Sequence, residues 1–401
     1  MAPATTRAGA ERGGSVLAFC ALSASYFAHI GFFNPYLPLW LKDMGFGLLA
    51  ISVLTSVQSA TRLFAPYGWG WLSDHTGERV RLLRLGSAIA LLFSLGLWFP
   101  LSGPLLFAVL LGMFTHTSGM MPMSEAVLAQ IVSRDGRFDP RRYGRVRVWG
   151  SIGFLLTVLL AGAWFDAFGM GSFAAWTSLT LAAVALSTWW LPDHREPAAH
   201  EQRPEPIGPV LRQPRVRWFF AAVFFHVLAH VFVYVFFSLH LDAQGYAKSA
   251  IGLFWAISVL IEIGWFFTQG RWLPALRLPG WLVLAGVLMG LRMAVTATLP
   301  AVWPVLALAQ LLHAITFAAH HTVCIAWISE HFPGRLRGRG QALYAVIGYG
   351  LSGVSGGVLG GLVSSRFGLS SVFWLASACG FAAALCALRV RALTRASGAR
   401  G

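Results

Sequence analysis

The chain has 401 residues, of which 57% are hydrophobic and only 11% are charged, and its formal net charge is +15 at pH 7. Soluble globular domains usually carry about 25% charged residues, so the composition excludes that class and indicates a protein embedded in a membrane. The basic excess does not indicate nucleic-acid binding, because the arginines lie in short segments between apolar runs and form no continuous basic face.

Twelve apolar runs follow one another along the chain, and many are long enough to cross roughly 30 Å of hydrocarbon as an α-helix. The predicted spans are residues 16–41, 48–72, 82–100, 104–131, 147–166, 172–191, 217–241, 249–270, 279–299, 301–328, 339–364 and 370–390. The first run is too long for the apolar core of a signal peptide, so we interpret it as a retained span. The runs are unbroken, whereas a β-barrel would show short alternating segments. The sequence therefore predicts an all-α integral membrane protein.

Cysteine and histidine spacings give no indication of a bound metal. The four cysteines all lie inside apolar runs, and no Cys-x-x-Cys motif occurs, which predicts neither a zinc site nor a disulfide framework. His226 and His230 have the i, i+4 spacing of a helical metal site. However, no acidic or cysteine partner is evident near them in the sequence. We therefore predict no metal and no cofactor.

A polar segment at residues 192–216, rich in proline and charge, separates the first six predicted spans from the last six. Such a segment is typical of a linker, so we predict six-helix bundles at residues 1–191 and 217–401. In this topology all but five of the 30 lysines and arginines lie on the linker's side of the membrane; Lys42, Lys248 and Arg366 lie on the other side, and Arg62 and Arg292 lie within spans. By the positive-inside rule, we predict that the linker and both termini are cytoplasmic, as in a protein of the inner membrane.

The two halves of the sequence also resemble each other at an offset of about 200 residues. "LKDMG" at 41–45 matches "LDAQG" at 241–245, Arg62 aligns with Glu262, and Gly70 aligns with Gly270. Two halves in the same orientation predict parallel structural repeats, an architecture of secondary transporters that places a substrate site near the middle of the membrane.

The segment "GWLSDHTGERVR" from Gly70 to Arg81 interrupts the apolar pattern between spans two and three. It resembles the signature of the loop between spans two and three in the major facilitator superfamily. That signature has Gly, Asp, Gly and a basic residue at the positions of Gly70, Asp74, Gly77 and Arg79. Glu78 departs from that signature, in which a basic residue is usual. The resemblance implies twelve transmembrane helices in two six-helix pseudo-repeats, and a gating role for these four residues. The alternative is that the basic residues of this loop only fix topology.

Three further stretches, "NPYLPLWL" (34–41), "YGRVRVWGSIGF" (143–154) and "LRGRGQALY" (336–344), resemble the phenylpropionate permease branch, which is related to lactose and nucleoside proton symporters. This resemblance implies proton-coupled uptake of a small organic solute. The favoured substrate is an aromatic carboxylate such as 3-phenylpropionate. Nucleosides and sugars remain alternatives. A polytopic membrane enzyme is less favoured, because the unusual polar residues lie within spans and not on loops. The sequence contains no Gly-Lys-Ser/Thr phosphate loop, so it gives no indication of an ATP-driven pump.

Ionisable residues within spans are the candidate site residues, since each costs about 2.5–3.5 kcal/mol at the centre of a membrane helix unless it faces a cavity or a partner. Arg62 shares a predicted helix face with Gln58, and Tyr36 follows Asn34-Pro35 as a predicted aromatic wall of the cavity. We predict that these three residues contact the substrate. Arg147 is expected to pair with Glu125. In the lactose-permease relatives a carboxylate on helix four and an arginine on helix five belong to the substrate site, and the resemblance carries that role to this pair. A structural ion pair is the alternative.

Glu262, Arg292, His313 and His320 are the candidates for proton coupling and carboxylate binding in the second half. Burial favours the neutral form of a carboxyl group and a nearby arginine favours the charged form, so a changing Glu262–Arg292 pairing could couple proton release to conformation. His313 and His320 are seven residues apart and share a predicted helix face, and histidine is suited to proton handling. We predict substrate contacts for Arg292 and proton coupling for Glu262, His313 and His320. The expected partners are a small-molecule substrate, protons and lipid, and we expect a monomer without catalytic residues.

Overall fold

The structure is a computed structural model, and it describes residues 4–132, 139–193, 206–334 and 336–398. The described residues are almost entirely helical, and they form twelve segments that are long and apolar enough to cross a membrane. The predicted all-α class and the twelve predicted spans are therefore confirmed. Of the predicted linker, residues 194–205 lie outside the described residues, as do Arg134, Arg137 and Arg335 among the basic residues that were assigned to the cytoplasmic side.

The first six spans comprise eight α-helices. Span 1 is α1 (Ala4–Asp43), span 2 is α2 (Leu48–Thr61) with α3 (Ala65–Thr76), and span 3 is α4 (Arg79–Ser94) with a 3₁₀ turn at Leu95–Trp98; span 4 is α5 (Gly103–Thr117) with α6 (Met120–Val132), span 5 is α7 (Pro140–Phe168), and span 6 is α8 (Phe173–Trp190) after a 3₁₀ turn at Met170–Ser172. Spans 2 and 4 are thus each built from two shorter helices.

The last six spans follow the short helix α9 (Gly208–Arg212). Span 7 is α10 (Pro214–Ala243), span 8 is α11 (Lys248–Trp272) with a 3₁₀ turn at Leu273–Ala275, and span 9 is α12 (Leu278–Thr298); span 10 is α13 (Trp303–Leu311) and α14 (His320–His331) around a π-helix at Ala314–Ala319, span 11 is α15 (Leu336–Tyr344) and α16 (Ser352–Phe367) around a π-helix at Ala345–Leu351, and span 12 is α17 (Leu369–Gly398). π-Helical turns are rare and frequently lie at functional sites.

The chain divides into two compact units. Unit 1 contains Met1–Trp40 and Thr61–Glu201, and unit 2 contains Leu41–Ala60 and Gln202–Gly401. The bundle boundaries at residues 191 and 217 that the sequence suggests stay a prediction.

Within unit 1, spans 1 and 5 pack backbone against backbone. A Cβ atom at Gly153 would overlap the carbonyl oxygen of Ala24, and one at Gly31 would lie 2.6 Å from the carbonyl oxygen of Phe154. The Thr157 hydroxyl donates to the carbonyl oxygen of Ala28 at 2.8 Å. Glycine permits this approach, which supplies the dispersion contacts that hold membrane helices together where lipid removes the hydrophobic driving force.

Within unit 2, a glycine stripe on span 11 makes similarly close contacts. A Cβ atom at Gly357 would overlap the Ser56 hydroxyl, and the Ser52 hydroxyl donates to the carbonyl oxygen of Gly357 at 2.5 Å. Spans 9 and 12 also approach closely: a Cβ atom at Gly286 would lie 2.6 Å from the backbone nitrogen of Ala384. These contacts fix the frame in which the polar side chains of unit 2 meet.

Candidate functional site

Arg292, in the middle of span 9, is only 2% exposed, and all of its hydrogen-bond acceptors are uncharged. Its Nη2 donates to Gln310 Oε1 at 2.7 Å. Its Nη1 donates to Thr316 Oγ1 at 3.1 Å and to His313 Nδ1 at 3.2 Å. Within the described ranges no carboxylate lies at ion-pair distance from this guanidinium, and its Nε has no hydrogen-bond partner. Among the described residues, this buried positive charge therefore has no carboxylate in direct contact to compensate it.

His313 lies between Arg292 and Glu262 and contacts both. Because Nδ1 accepts a hydrogen bond from the arginine, a neutral His313 carries its proton on Nε2. That nitrogen faces Glu262 Oε2 at 3.5 Å. The sequence suggested a direct Glu262–Arg292 pairing, but the structure inserts a titratable imidazole between the two groups. His313 thus connects the Glu262 carboxylate, which can accept a proton, to the buried Arg292 guanidinium.

Gln310 and Ser258 extend this network on the other side of Arg292. Gln310 is 1% exposed, and its Oε1 also accepts a hydrogen bond from the Ser258 hydroxyl at 3.2 Å. Its Nε2 donates to the carbonyl oxygen of Leu306 at 3.2 Å. The sequence did not indicate either residue, because a single glutamine or serine in an apolar run carries no pattern. Only the contact across helices identifies them.

The π-helix of span 10 gives the histidines different neighbours. The i→i+5 turns at Ala314–Ala319 lie between His313 and His320 and change the helical register between them. His320 stacks on His226 with ring centroids 3.7 Å apart, and its ring lies 3.6 Å from the Cys324 sulfur. The structure thus brings His313, but not His320, to Arg292 and Glu262.

Span 7 contributes two more buried histidines to the cluster. His226 Nε2 donates to the carbonyl oxygen of Thr316, within the π-helix, at 2.6 Å. The His230 ring lies 5.2 Å from His226 and 5.9 Å from His313, and its Nε2 has no hydrogen-bond partner among the described residues. The sequence singled out this pair for its spacing. Its side chains lie beside span 10 and line the same network as Arg292.

In unit 1, Glu125 and Arg147 form the pair that their positions suggested. Arg147 Nη1 lies 3.4 Å from Glu125 Oε1, and the two side chains are 35% and 40% exposed respectively. The Arg147 guanidinium also lies over the ring of Phe27, with its carbon 4.9 Å from the ring centroid. The pairing is present, while the role of both residues in substrate binding stays a prediction.

Arg62 directly follows the helix that contains Gln58. Helix α2 ends at Thr61, and Arg62 lies in the turn before α3 begins at Ala65. Arg62, Glu125 and Arg147 all interact electrostatically with the phenol of Tyr26, so these three charged groups lie in one region of unit 1. Substrate contacts of Gln58 and Arg62 stay predictions.

Tyr36 is completely buried, and its hydroxyl donates to the carbonyl oxygen of Val158 on span 5 at 2.8 Å. Its ring packs edge to face against Phe165, with centroids 5.2 Å apart. The structure therefore shows Tyr36 as a contact between spans 1 and 5. A cavity-wall role is still only a prediction.

The loop between spans 2 and 3 has the local geometry that its residues suggested. Gly77 ends α3 in the left-handed conformation, with φ of 65°, and its N–H donates to the carbonyl oxygen of Ser73 at 2.8 Å. Arg79 Nη2 pairs with Asp74 Oδ1 at 2.9 Å. Gly70 lies in α3 with open space around it. The Asp74–Arg79 pair closes the turn within unit 1, and its gating role stays a prediction.

The chain resembles known membrane transporters over most of its length. A family model described as "MFS_1 like family" matches residues 21–375. The chain is 26% identical over 358 residues to the "Probable 3-phenylpropionic acid transporter" of Escherichia coli (strain K12), covering 88% of this chain and 91% of that protein. It is 24% identical over 357 residues to the "Maltose permease" of Geobacillus stearothermophilus, covering 88% of this chain and 89% of that protein.

Solved structures show the same fold at low sequence identity. The crystal structure of the nucleoside transporter NupG matches with a TM-score of 0.77 and 16% identity, and the match covers 94% of this chain and 98% of that one. The in meso crystal structure of the POT family transporter PepTSo matches with a TM-score of 0.76 and 11% identity, over 96% of this chain and 99% of that one. At these identities the structural likeness concerns the fold.

Proposed function

This chain belongs to the MFS_1-like family of the major facilitator superfamily and is a multi-pass membrane transporter, and we propose that it takes up a small organic carboxylate together with a proton. The best candidate is an aromatic carboxylate such as 3-phenylpropionate, moved by alternating access. We further propose that the protein lies in the cytoplasmic membrane with both termini in the cytoplasm, as the distribution of basic residues favours, and that it works as a monomer.

The observation that carries this proposal is the uncompensated charge of Arg292. A buried charge that has lost its hydration is costly unless an opposite charge is close. A guanidinium has five N–H donors, and Arg292 uses three of them on Gln310, Thr316 and His313. One donor on Nε and one on Nη2 remain, and a carboxylate can accept two such bonds from one guanidinium. A substrate carboxylate would supply both the missing acceptor and the missing charge.

The position of His313 supports the proposed proton coupling. Arg292 donates to His313 Nδ1 and its positive charge disfavours a second proton on the imidazole. A substrate carboxylate on Arg292 would cancel that positive field and make it more favourable for the His313–Glu262 pair to take up a proton. Coupling between two sites is reciprocal, so protonation of the pair would in turn strengthen carboxylate binding. Substrate and proton would then move together.

The aromatic part of the proposed substrate rests on two supports. The Phe317 ring is parallel to His313, with centroids 4.9 Å apart, and it is only partly buried next to the charged groups. Offset stacking on such a ring is favourable for an aromatic ligand. The resemblance to the Escherichia coli protein, whose name concerns 3-phenylpropionic acid, points to the same class. Gln58, Arg62, Glu125 and Arg147 are proposed as further substrate contacts.

The test compares an acid with its neutral amide. Binding of 3-phenylpropionate and 3-phenylpropionamide to the purified protein is measured by calorimetry for the wild type, Arg292→Gln and the control Arg271→Gln, which changes an exposed arginine. We expect the acid to bind the wild type and the control, and to lose on the order of 100-fold in affinity for Arg292→Gln. Uptake into proteoliposomes should rise when the outside is made acidic.

Three results would contradict parts of the proposal. Equal binding of acid and amide to the wild type would exclude recognition of the carboxylate. Normal acid binding by Arg292→Gln would show that another group carries the recognition, and uptake that ignores an imposed proton gradient would remove the symport part.

A further inference from the structure

We infer that Gln310 determines the charge class of the ligand, because it holds the guanidinium of Arg292 in place without neutralising it. This inference rests on the proposed function, since it explains why the site would require an anion. Gln310 is a positioning and specificity-determining residue in this assignment. Its effect on substrate is exerted through Arg292.

The orientation of the Gln310 amide is fixed by three hydrogen bonds. Oε1 accepts from Arg292 Nη2 at 2.7 Å and from the Ser258 hydroxyl at 3.2 Å. Nε2 donates to the carbonyl oxygen of Leu306 at 3.2 Å. The flipped amide would direct its N–H donors at the guanidinium and at the serine, and its oxygen at the carbonyl. The assignment of oxygen and nitrogen therefore follows from the whole network.

Glutamine and glutamate have the same size and shape but differ by one full charge. A carboxylate at position 310 could accept the same hydrogen bond from Arg292 and would form a buried ion pair with it. The cation would then be compensated by the protein in every state of the transport cycle. With glutamine, the same geometry is reached and the charge remains for the ligand. The choice between the two residues thus decides whether the protein or the substrate supplies the anion.

The other groups around Arg292 do not perform this function. Thr316 is neutral. His313 accepts a hydrogen bond from the guanidinium through Nδ1 but carries no negative charge that could compensate it. Glu262 is separated from Arg292 by the His313 ring. Gln310 is consequently the position nearest the guanidinium at which an isosteric change adds a carboxylate.

The experiment measures the preference for acid over amide. Binding of 3-phenylpropionate and 3-phenylpropionamide is measured by calorimetry on the full-length wild type, Gln310→Glu and the control Gln269→Glu. The control adds a carboxylate to the same unit, at a glutamine whose Oε1 accepts from the Thr322 hydroxyl at 3.0 Å. We expect Gln310→Glu to weaken acid binding on the order of 100-fold, and to lose the preference for acid over amide. The control should keep the wild-type preference.

The outcomes separate this inference from the proposed function. If the wild type itself shows no preference for the acid, the proposed function fails. If the wild type prefers the acid and Gln310→Glu keeps that preference, only the assignment of Gln310 is overturned. A purely structural role of Gln310 would lower the affinity for acid and amide equally, which would also overturn it.

A second variant does not depend on the folding of Gln310→Glu. Ser258→Ala removes one of the two hydrogen bonds to Gln310 Oε1 and leaves the charge of the site unchanged. We expect acid binding to weaken about threefold, the effect of one hydrogen bond, while the preference for acid over amide persists. Unchanged acid binding by Ser258→Ala would contradict the positioning of Arg292 through Gln310.

Discussion

Two arginines of this protein meet their surroundings in opposite ways. Arg147 in unit 1 lies 3.4 Å from a carboxylate of the same chain and stays 35% exposed. Arg292 in unit 2 is 2% exposed and contacts only neutral acceptors. Where the protein supplies the anion, the charge is satisfied whether or not a ligand is present. Where the protein supplies no anion, a negatively charged ligand can supply it. Binding then removes the cost of the uncompensated charge, and this gain adds to the affinity.

The comparison also separates structural from functional reasons for burying charge. A buried ion pair contributes little net stability compared with apolar residues of the same size. A buried single charge contributes less still, so its presence in a membrane helix calls for a role in binding. The following experiments test whether the two arginines differ in this way.

The largest effect is expected for Arg292→Met, compared with Arg147→Met. We expect the first substitution to reduce carboxylate uptake by on the order of 100-fold or more, because the binding cation is lost. The ligand-free protein should nevertheless unfold at the same temperature or higher, because an uncompensated charge has been removed from the interior. Arg147→Met should lower the unfolding temperature, since it leaves Glu125 without its cation. Uptake assays and thermal unfolding in detergent measure the two quantities, and a large loss of stability in Arg292→Met would undo the comparison.

The next effect concerns the frame that supports the unit 1 pair. Gly153→Ala places a Cβ atom onto the carbonyl oxygen of Ala24, so spans 1 and 5 would have to separate. We expect a loss of about 3 kcal/mol in the free energy of unfolding, the upper range for overpacked sites. Gly144→Ala, on the same helix, meets no atom within 4 Å. It should be neutral or stabilise by about 0.4–1 kcal/mol. Equal unfolding temperatures for the two variants would contradict the close packing.

The sequence predicted the twelve spans because each long apolar run has one physical solution in lipid, a helix that satisfies its own backbone hydrogen bonds. It did not predict the π-helix at Ala314–Ala319, because no glycine or proline marks that turn. The seven-residue spacing of His313 and His320 suggested a shared face on an uninterrupted α-helix, and the two rings lie next to His230 and His226 of span 7 respectively. The sequence also did not predict that α2 ends at Thr61, directly before Arg62.

Among the candidate residues, the charged ones could be identified from the sequence and the uncharged ones could not. Glu125, Arg147 and Arg292 stand out in the sequence because charge is rare and costly in membrane helices, and the expected Glu125–Arg147 pair is present. Gln310 and Ser258 carry no charge and no pattern. Their importance lies in which side chain they touch across helices, and a single sequence does not contain that information.

A smaller effect is expected for Glu262→Gln, which tests the proton path beside Arg292. Glutamine keeps the size of the side chain but cannot carry a proton, so uptake driven by an imposed proton gradient should fall to the rate without a gradient. Exchange of labelled for unlabelled substrate at equal pH should persist, because Arg292 is unchanged. Glu330→Gln changes an exposed carboxylate on the same unit and should leave both assays unchanged. Gradient-driven uptake by Glu262→Gln would remove Glu262 from the coupling.

The smallest effect on stability is expected at the Glu125–Arg147 pair itself. Because both side chains are more than a third exposed, their attraction is screened, and we expect Glu125→Gln or Arg147→Gln to cost less than about 1 kcal/mol of unfolding free energy. The reversed pair, Glu125→Arg with Arg147→Glu, should recover that loss, and added salt should diminish it. Carboxylate uptake then decides between the two interpretations of the pair. If the charges only satisfy each other, uptake should recover in the reversed pair together with stability. If Arg147 contacts the substrate, uptake should stay low after reversal, because a glutamate would then repel the carboxylate at a position where the arginine attracted it.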